Sequence, residues 1–190
     1  MMNNVSADLF DEDETHSDIS QEKNKVMFYS EVDTHSCFKL INCLTDAKKF
    51  ASVHNSTNEF NDDMKIYLHI CSDGGDVFSA LSVIDFILKS KVDIVTVCEG
   101  SVASAGVLIS LAGKERYIRE HAYMLIHEIR SGCLGKYSEM QEEMKNNDKI
   151  MDDLKKYMNE RCNNKLLRKK MDKVLKKDIL WDANRCIKYG

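Results

Sequence analysis

The sequence predicts an α/β fold with parallel strand pairing, and three observations point to it. Residues 66–71 are an apolar strand, Ser72-Asp73-Gly74-Gly75 a turn, and Asp76 caps a helix carrying Val77, Leu81, Ile84 and Leu88 on one face. Residues 92–98 form a second strand, followed by the small-residue stretch Gly100-Ser101-Val102-Ala103-Ser104-Ala105-Gly106 and an apolar helix over 107–112. Two successive β-turn-α units of this kind favour a layered fold with parallel pairing, and both turns fall at carboxyl ends of strands, where such sheets hold their sites. The third observation is size: 190 residues that are 43% hydrophobic suit one domain with a sizeable core.

Taken in order, residues 1–24 read as a disordered acidic tail, with seven acids against Lys23 alone. The tail carries about −6 of the net −4, which leaves the folded part near +2. Neither part has the basic surplus of a nucleic-acid binder. The start lacks a basic region and an apolar core, so it is no secretory signal, and no run approaches the ~20 apolar residues of a membrane span. Seven cysteines without a CxxC pair suggest free thiols in a reducing compartment, and the chain is expected to be soluble and cytoplasmic. His35-Ser36-Cys37 and His69-Ile70-Cys71 have no second pair to complete a tetrahedral site, so no metal is expected.

Residues 25–32 form the first strand, and 35–50 carry Phe38, Ile41, Cys43 or Leu44, and Ala47 at roughly helical spacing. The polar segment 52–63 reads as a surface loop. Residues 117–118 and 122–127 are two short strands, the second ending on His127. A long helix over 136–161 starts with Ser138 and Gln141 in capping-box spacing and carries Met140, Met144, Met151, Leu154 and Met158 as one stripe. At 1.5 Å per residue it spans ~39 Å, long for a domain this small, which points to assembly. Leu166, Leu167, Met171, Val174 and Leu175 make a further amphipathic helix, and a closing helix runs over 182–189.

Three residues stand out chemically. Ser104 lies in the first turn of the helix after the second strand, where free N–H groups point outward; it reads either as an N-cap or as a nucleophile with backbone donors for an oxyanion. His127 on an apolar strand reads either as a satisfied structural residue or as a base. Asp178 and Asp182 each read as a cap or as a catalytic group.

The motifs Ser72-Asp73-Gly74-Gly75, Gly100-Ser101-Val102-Ala103-Ser104, Leu125-Ile126-His127, and Lys177-Asp178 leading to Tyr189-Gly190 occur in that order. With them, the sequence from about residue 25 onward resembles the proteolytic subunit of the Clp protease, a serine peptidase of the ClpP/crotonase fold. Gly75-Asp76-Val77-Phe78 and Ala103-Ser104-Ala105 are similar to virus-encoded members, some linked to head maturation, which would place the protein in a host cytoplasm. The resemblance implies a spiral of β-β-α units with a protruding long helix. It implies Ser104 as nucleophile, His127 as its base, Asp178 as the group orienting the imidazole, and the backbone N–H groups of Gly75 and Ala105 as oxyanion donors. It further implies peptide and protein substrates, a homo-oligomeric ring of heptamer type, no cofactor of its own, and ATP only through a partner AAA+ unfoldase.

Four departures from the family pattern are visible. Asp73 replaces a proline and sets a carboxylate beside the oxyanion site. Ala105 replaces a usual methionine, and Lys176-Lys177 stands in place of a Glu-Arg pair tied to ring-to-ring contact. The chain also lacks the usual N-terminal hairpin and stops at Gly190. These bear on double-ring assembly and unfoldase docking; the triad is untouched. The rival readings are a crotonase-type acyl-CoA enzyme, which needs no Ser-His-Asp set, a Ser-Lys peptidase using a base such as Lys114, and an impaired structural ring subunit, which Asp73 keeps open.

Overall fold

The computed structural model describes residues 18–57, 63–166 and 168–190. In chain order the elements are β1 (Asp18–Glu22), β2 (Lys25–Tyr29), α1 (Thr34–Thr57), β3 (Ile66–Ser72), α2 (Val77–Leu88), β4 (Ile94–Ala103), α3 (Ala105–Leu111), β5 (Glu115–Ile118), β6 (Tyr123–Leu125), α4 (Tyr137–Arg161), α5 (Arg168–Leu175), β7 (Leu180–Asp182) and α6 (Ala183–Tyr189). The seven strands form one mixed sheet in the order β1-β2-β3-β4-β6-β7, with β5 also on β4. The α/β class with parallel central pairing is as the sequence predicts.

Strand β4 organises the sheet. On one edge it pairs in parallel with β3, from Ile66↔Ile94 to Ser72↔Val102, with a register shift between Ile70 and Ser72. Its other edge is shared: residues 95–98 pair with β5 and residues 101–103 with β6. The strand therefore runs past Gly100 to Ala103, further than the glycine turn expected at 98–103. Its length carries the chain straight to Ser104.

Helix α1 buries Leu40, Leu44, Ala47 and Ala51, and α2 buries Ala80, Val83, Ile84 and Ile87 against the same core as Phe28, Ile66, Leu68 and Ile70. The α2 stripe is thus rotated from the one expected: Leu88 is exposed and Val77 and Leu81 are only partly covered. The expected Asp76 cap is present, its carboxylate accepting from Ser79 N–H at 2.7 Å. Asp33 and Ser36 begin α1 with reciprocal bonds of 2.7 and 3.0 Å. All seven residues of α3 are buried, and the Arg161 guanidinium closes its far end on the carbonyls of Leu111 and Gly113, each at 2.6 Å. Those carbonyls lack helical partners, and a cation suits that end of the dipole.

Several boundaries differ from expectation. Residues 18–22, assigned to the tail, form β1, a hairpin on β2 with Ile19 opposite Phe28 and turning at Lys23 (φ 54°). One buried isoleucine and a left-handed turn residue suffice when the partner strand is already seated. The rest of the tail, 1–17, lies outside the described residues, as do 58–62 of the predicted loop and Leu167. The other part of that loop is helix: α1 continues to Thr57, where Asn55 holds Met64 through a bond of 2.7 Å to its N–H. The opening of α4 is secured by Glu139, whose carboxylate accepts from Lys136 N–H at 2.9 Å, instead of by Ser138 and Gln141. Strand β7 was not expected. Among the described residues no helix is long and apolar enough to cross a membrane.

On the sheet face away from α1 and α2, Glu99 gathers the ends of several strands. It accepts from Tyr29, from His69 Nδ1 at 2.8 Å and from Arg119 Nε at 2.9 Å. Burial alone would raise its carboxyl, but the hydrogen bonds from Tyr29, His69 and Arg119 outweigh that and hold it at about 2, below the usual 4.5. A depressed carboxyl stabilises the fold fully above about pH 4.5 and loses that contribution as pH falls towards about 2. Urea midpoints measured at pH 6 and pH 3 should therefore drop more for the wild type than for Glu99→Gln; equal drops would remove Glu99 from the acid response.

Candidate active site

Ser104 occupies the N-cap position of α3, yet its side chain makes no capping hydrogen bond. Its backbone is at φ 52°, ψ −121°, a conformation that costs a non-glycine residue on the order of 1–3 kcal/mol. The capping alternative therefore does not describe this serine. The turn is held from outside: Ser104 N–H donates to Leu125 O at 2.9 Å, locking the end of β4 to β6. A strained residue held by its neighbours, with its hydroxyl left out of local bonding, suits a reactive group.

The Gly74-Gly75 turn lies against this serine. A Cβ on Gly74 would stand 2.6 Å from the Ser104 Cβ, and one on Gly75 would stand 2.2 Å from Val32 O; both residues have positive φ, 94° and 144°. Only glycine allows two chain segments to meet this closely. Val32 N–H donates to Gly74 O at 2.8 Å and Asp76 N–H to Val32 O at 2.7 Å. These bonds bracket Gly75 and leave its own N–H outside both. Ala105 opens α3, so its N–H is among those without a helical acceptor.

Ser104, His127, Gly75, Ala105 and Asp73 line one cleft of about 800 Å³. Phe78, Leu108, Met151 and Leu154 give it apolar walls, the last two from α4. The helix thus contributes its expected stripe partly to the cleft, with Leu154 and Met158 buried and Met140 and Met144 exposed. His127 lies two residues past β6 instead of ending it. Its Nδ1 is 2.5 Å from Glu128 O. A carbonyl only accepts, so Nδ1 carries the proton and, in the neutral ring, Nε2 is left as the acceptor.

Asp178 falls in the linker between α5 and β7, as expected, but outside the residues lining the cleft. Its Oδ2 accepts from Arg130 Nη2 at 2.7 Å. The antiparallel β6–β7 ladder ends at Leu125↔Leu180. His127 and Asp178 are each two residues beyond that last pair; past it the chain turns at Asp178, with Ile179 N–H on Lys177 O at 2.9 Å, and Glu128 N–H bonds Leu175 O at 3.0 Å. The structure brings four of the five expected site residues to one cleft and leaves the fifth, Asp178, outside its lining, paired with Arg130. Arg130 and the Glu128 carbonyl are additions that motif reading missed. The signal for Arg130 was its charge, three residues past His127, opposite a linker holding one acid.

Among the described residues no group of three or more His, Cys, Asp or Glu is placed to hold a metal ion. Burial pushes the thiols of Cys37, Cys98 and Cys186 up to about 11, 12 and 11, far from a reactive thiolate.

The family model for Clp protease matches residues 20–190. This chain belongs to the Clp protease family. The match takes in β1 from Ser20 onward and every later element, so it covers the cleft and the β6–β7 ladder together. The chain is therefore a member of a peptidase family whose proteins generally form oligomeric rings and act on protein substrates.

Proposed function

We propose that this protein is a serine endopeptidase whose nucleophile is Ser104 and whose base is His127. The observation that carries the reading is Ser104 itself: strained, uncapped, and sharing a cleft with an imidazole whose Nδ1–H is already anchored. His127 Nε2 takes the hydroxyl proton as Ser104 Oγ attacks the scissile carbonyl carbon. The carbonyl oxygen becomes an oxyanion held by the N–H groups of Gly75 and Ala105. His127 then passes its proton to the leaving amine, and water releases the acyl group by the reverse order of transfers. Asp178 faces the imidazole in the working arrangement and stabilises its charged form. A fluorophosphonate probe should label Ser104 and no other serine of the folded protein. Well-folded protein that stays unlabelled would overturn the reading.

The exposed apolar residues support assembly. Leu134 and Tyr137 just before and at the start of α4, and Met140 and Met144 within it, lie open to solvent, while the second half of the helix packs on α3 and α5. An unburied apolar end on a long helix is suited to a subunit contact. The proposal is a homo-oligomeric ring of heptamer type that encloses the clefts, cuts short peptides unaided, and takes folded proteins only with an ATP-driven unfoldase. Native mass spectrometry at micromolar concentration should give a ring mass; a monomer would remove the enclosed chamber from the proposal. The similarity to virus-encoded members adds the reading of a head-maturation protease working in a host cytoplasm.

A further inference from the structure

The pairing of Asp178 is the feature that the triad reading leaves unused. Its carboxylate, two residues before β7, is bonded to Arg130, which lies three residues past His127 on the segment that leaves β6. Both side chains of that pair are largely exposed, 73% for Arg130 and 57% for Asp178. Meanwhile the imidazole Nδ1–H is satisfied by the neutral Glu128 carbonyl. On the serine-peptidase reading one carboxylate then has two partners to serve, Arg130 and His127, three residues apart on the same segment. That segment leaves the ladder after Leu125 and is fixed again by Glu128 N–H to Leu175 O at 3.0 Å, so His127 and Arg130 flank an anchored residue.

We infer that Arg130 is a positioning residue that withholds Asp178 from His127 and so sets the resting activity of the site. The inference rests on the serine-peptidase reading above. An exposed ion pair is worth little, so the carboxylate exchanges between its two partners at small cost and salt shifts the exchange. While Arg130 holds Asp178, the imidazole keeps its tautomer through Glu128 O but gains no anionic neighbour to stabilise the charge it acquires during attack. When Asp178 turns to His127, the anion is supplied. Anything that engages the Arg130 guanidinium, such as a carboxylate of a bound peptide or of a neighbouring subunit, would release Asp178 in the same way.

The test is the rate at which a fluorophosphonate labels Ser104 in the full chain in its native assembly, in wild type, Arg130→Gln, Arg130→Lys, Asp178→Asn and the Arg130→Gln/Asp178→Asn double variant. Arg130→Gln should label roughly fivefold faster than wild type at low salt, the scale of one exposed pair. Arg130→Lys should stay near wild type, and added sodium chloride should narrow the gap. With a fluorogenic peptide the same variant should raise kcat and leave KM unchanged. In the Asp178→Asn background, Arg130→Gln should change nothing, because the carboxylate it releases is gone. A rate for Arg130→Gln equal to or below wild type, or a gain that persists without Asp178, would overturn the inference while leaving the peptidase reading in place. Absence of labelling in every protein would overturn the peptidase reading and this inference together.

Discussion

Ser104→Ala should abolish peptide turnover, by roughly 10⁶-fold if Ser104 and His127 act as a unit, and should leave the fold intact. The methyl group keeps the space, and the backbone bond from residue 104 to Leu125 O does not involve the side chain. The hydroxyl caps nothing, so its removal takes away no bond that holds α3. Thermal unfolding should shift little, since both residues face the same strained φ of 52°. A structural serine would behave in the opposite way: loss of an N-cap costs about 1 kcal/mol and would lower Tm without touching chemistry. Measured side by side, turnover should collapse and Tm should hold. A variant that keeps peptidase activity would exclude Ser104 as the nucleophile.

Much of this arrangement was legible in the sequence because local chemistry agreed with global packing. Asp76 caps α2 by its own side chain, and Val102, Ala103, Ala105 and Gly106 are small because the turn at Ser104 is crowded on both sides. What was not legible depended on partners distant in sequence. Strand β1 has one buried isoleucine and is a strand only because β2 offers an edge. Asn55-Ser56-Thr57 looks like loop by composition, yet Asn55 is clamped to Met64 and the helix runs on. Strand β7 is three residues long, too short for any period to show, and it is visible only as the antiparallel partner of β6. That short ladder ties the strand that follows Asp178 to the strand that leads to His127. The resemblance singled out Asp178 among the late acids; the tertiary contact gave its present partner, Arg130, which no spacing rule could supply.

The second large effect separates Asp178 from its two acidic neighbours. Asp178→Asn should cut turnover by roughly 10²–10⁴-fold while the fold is kept. The lower figure applies if Glu128 O goes on holding Nδ1–H, so that only the anionic charge beside the imidazole is lost. The upper figure applies if the new amide donates towards the ring and drives the proton to Nε2, the wrong tautomer for a base. Asp182→Asn should be nearly silent, because Asp182 Oδ1 accepts from Arg185 N–H at 2.7 Å as the cap of α6, and asparagine caps as well. Asp172→Asn weakens a pair with Lys155 on the α4–α5 contact, at 2.8 Å, and should affect stability before activity. Initial rates on a fluorogenic peptide for the three variants, each checked for Tm, distinguish these roles. Near-normal turnover for Asp178→Asn beside a severe loss for Asp172→Asn or Asp182→Asn would show that another acid serves the imidazole.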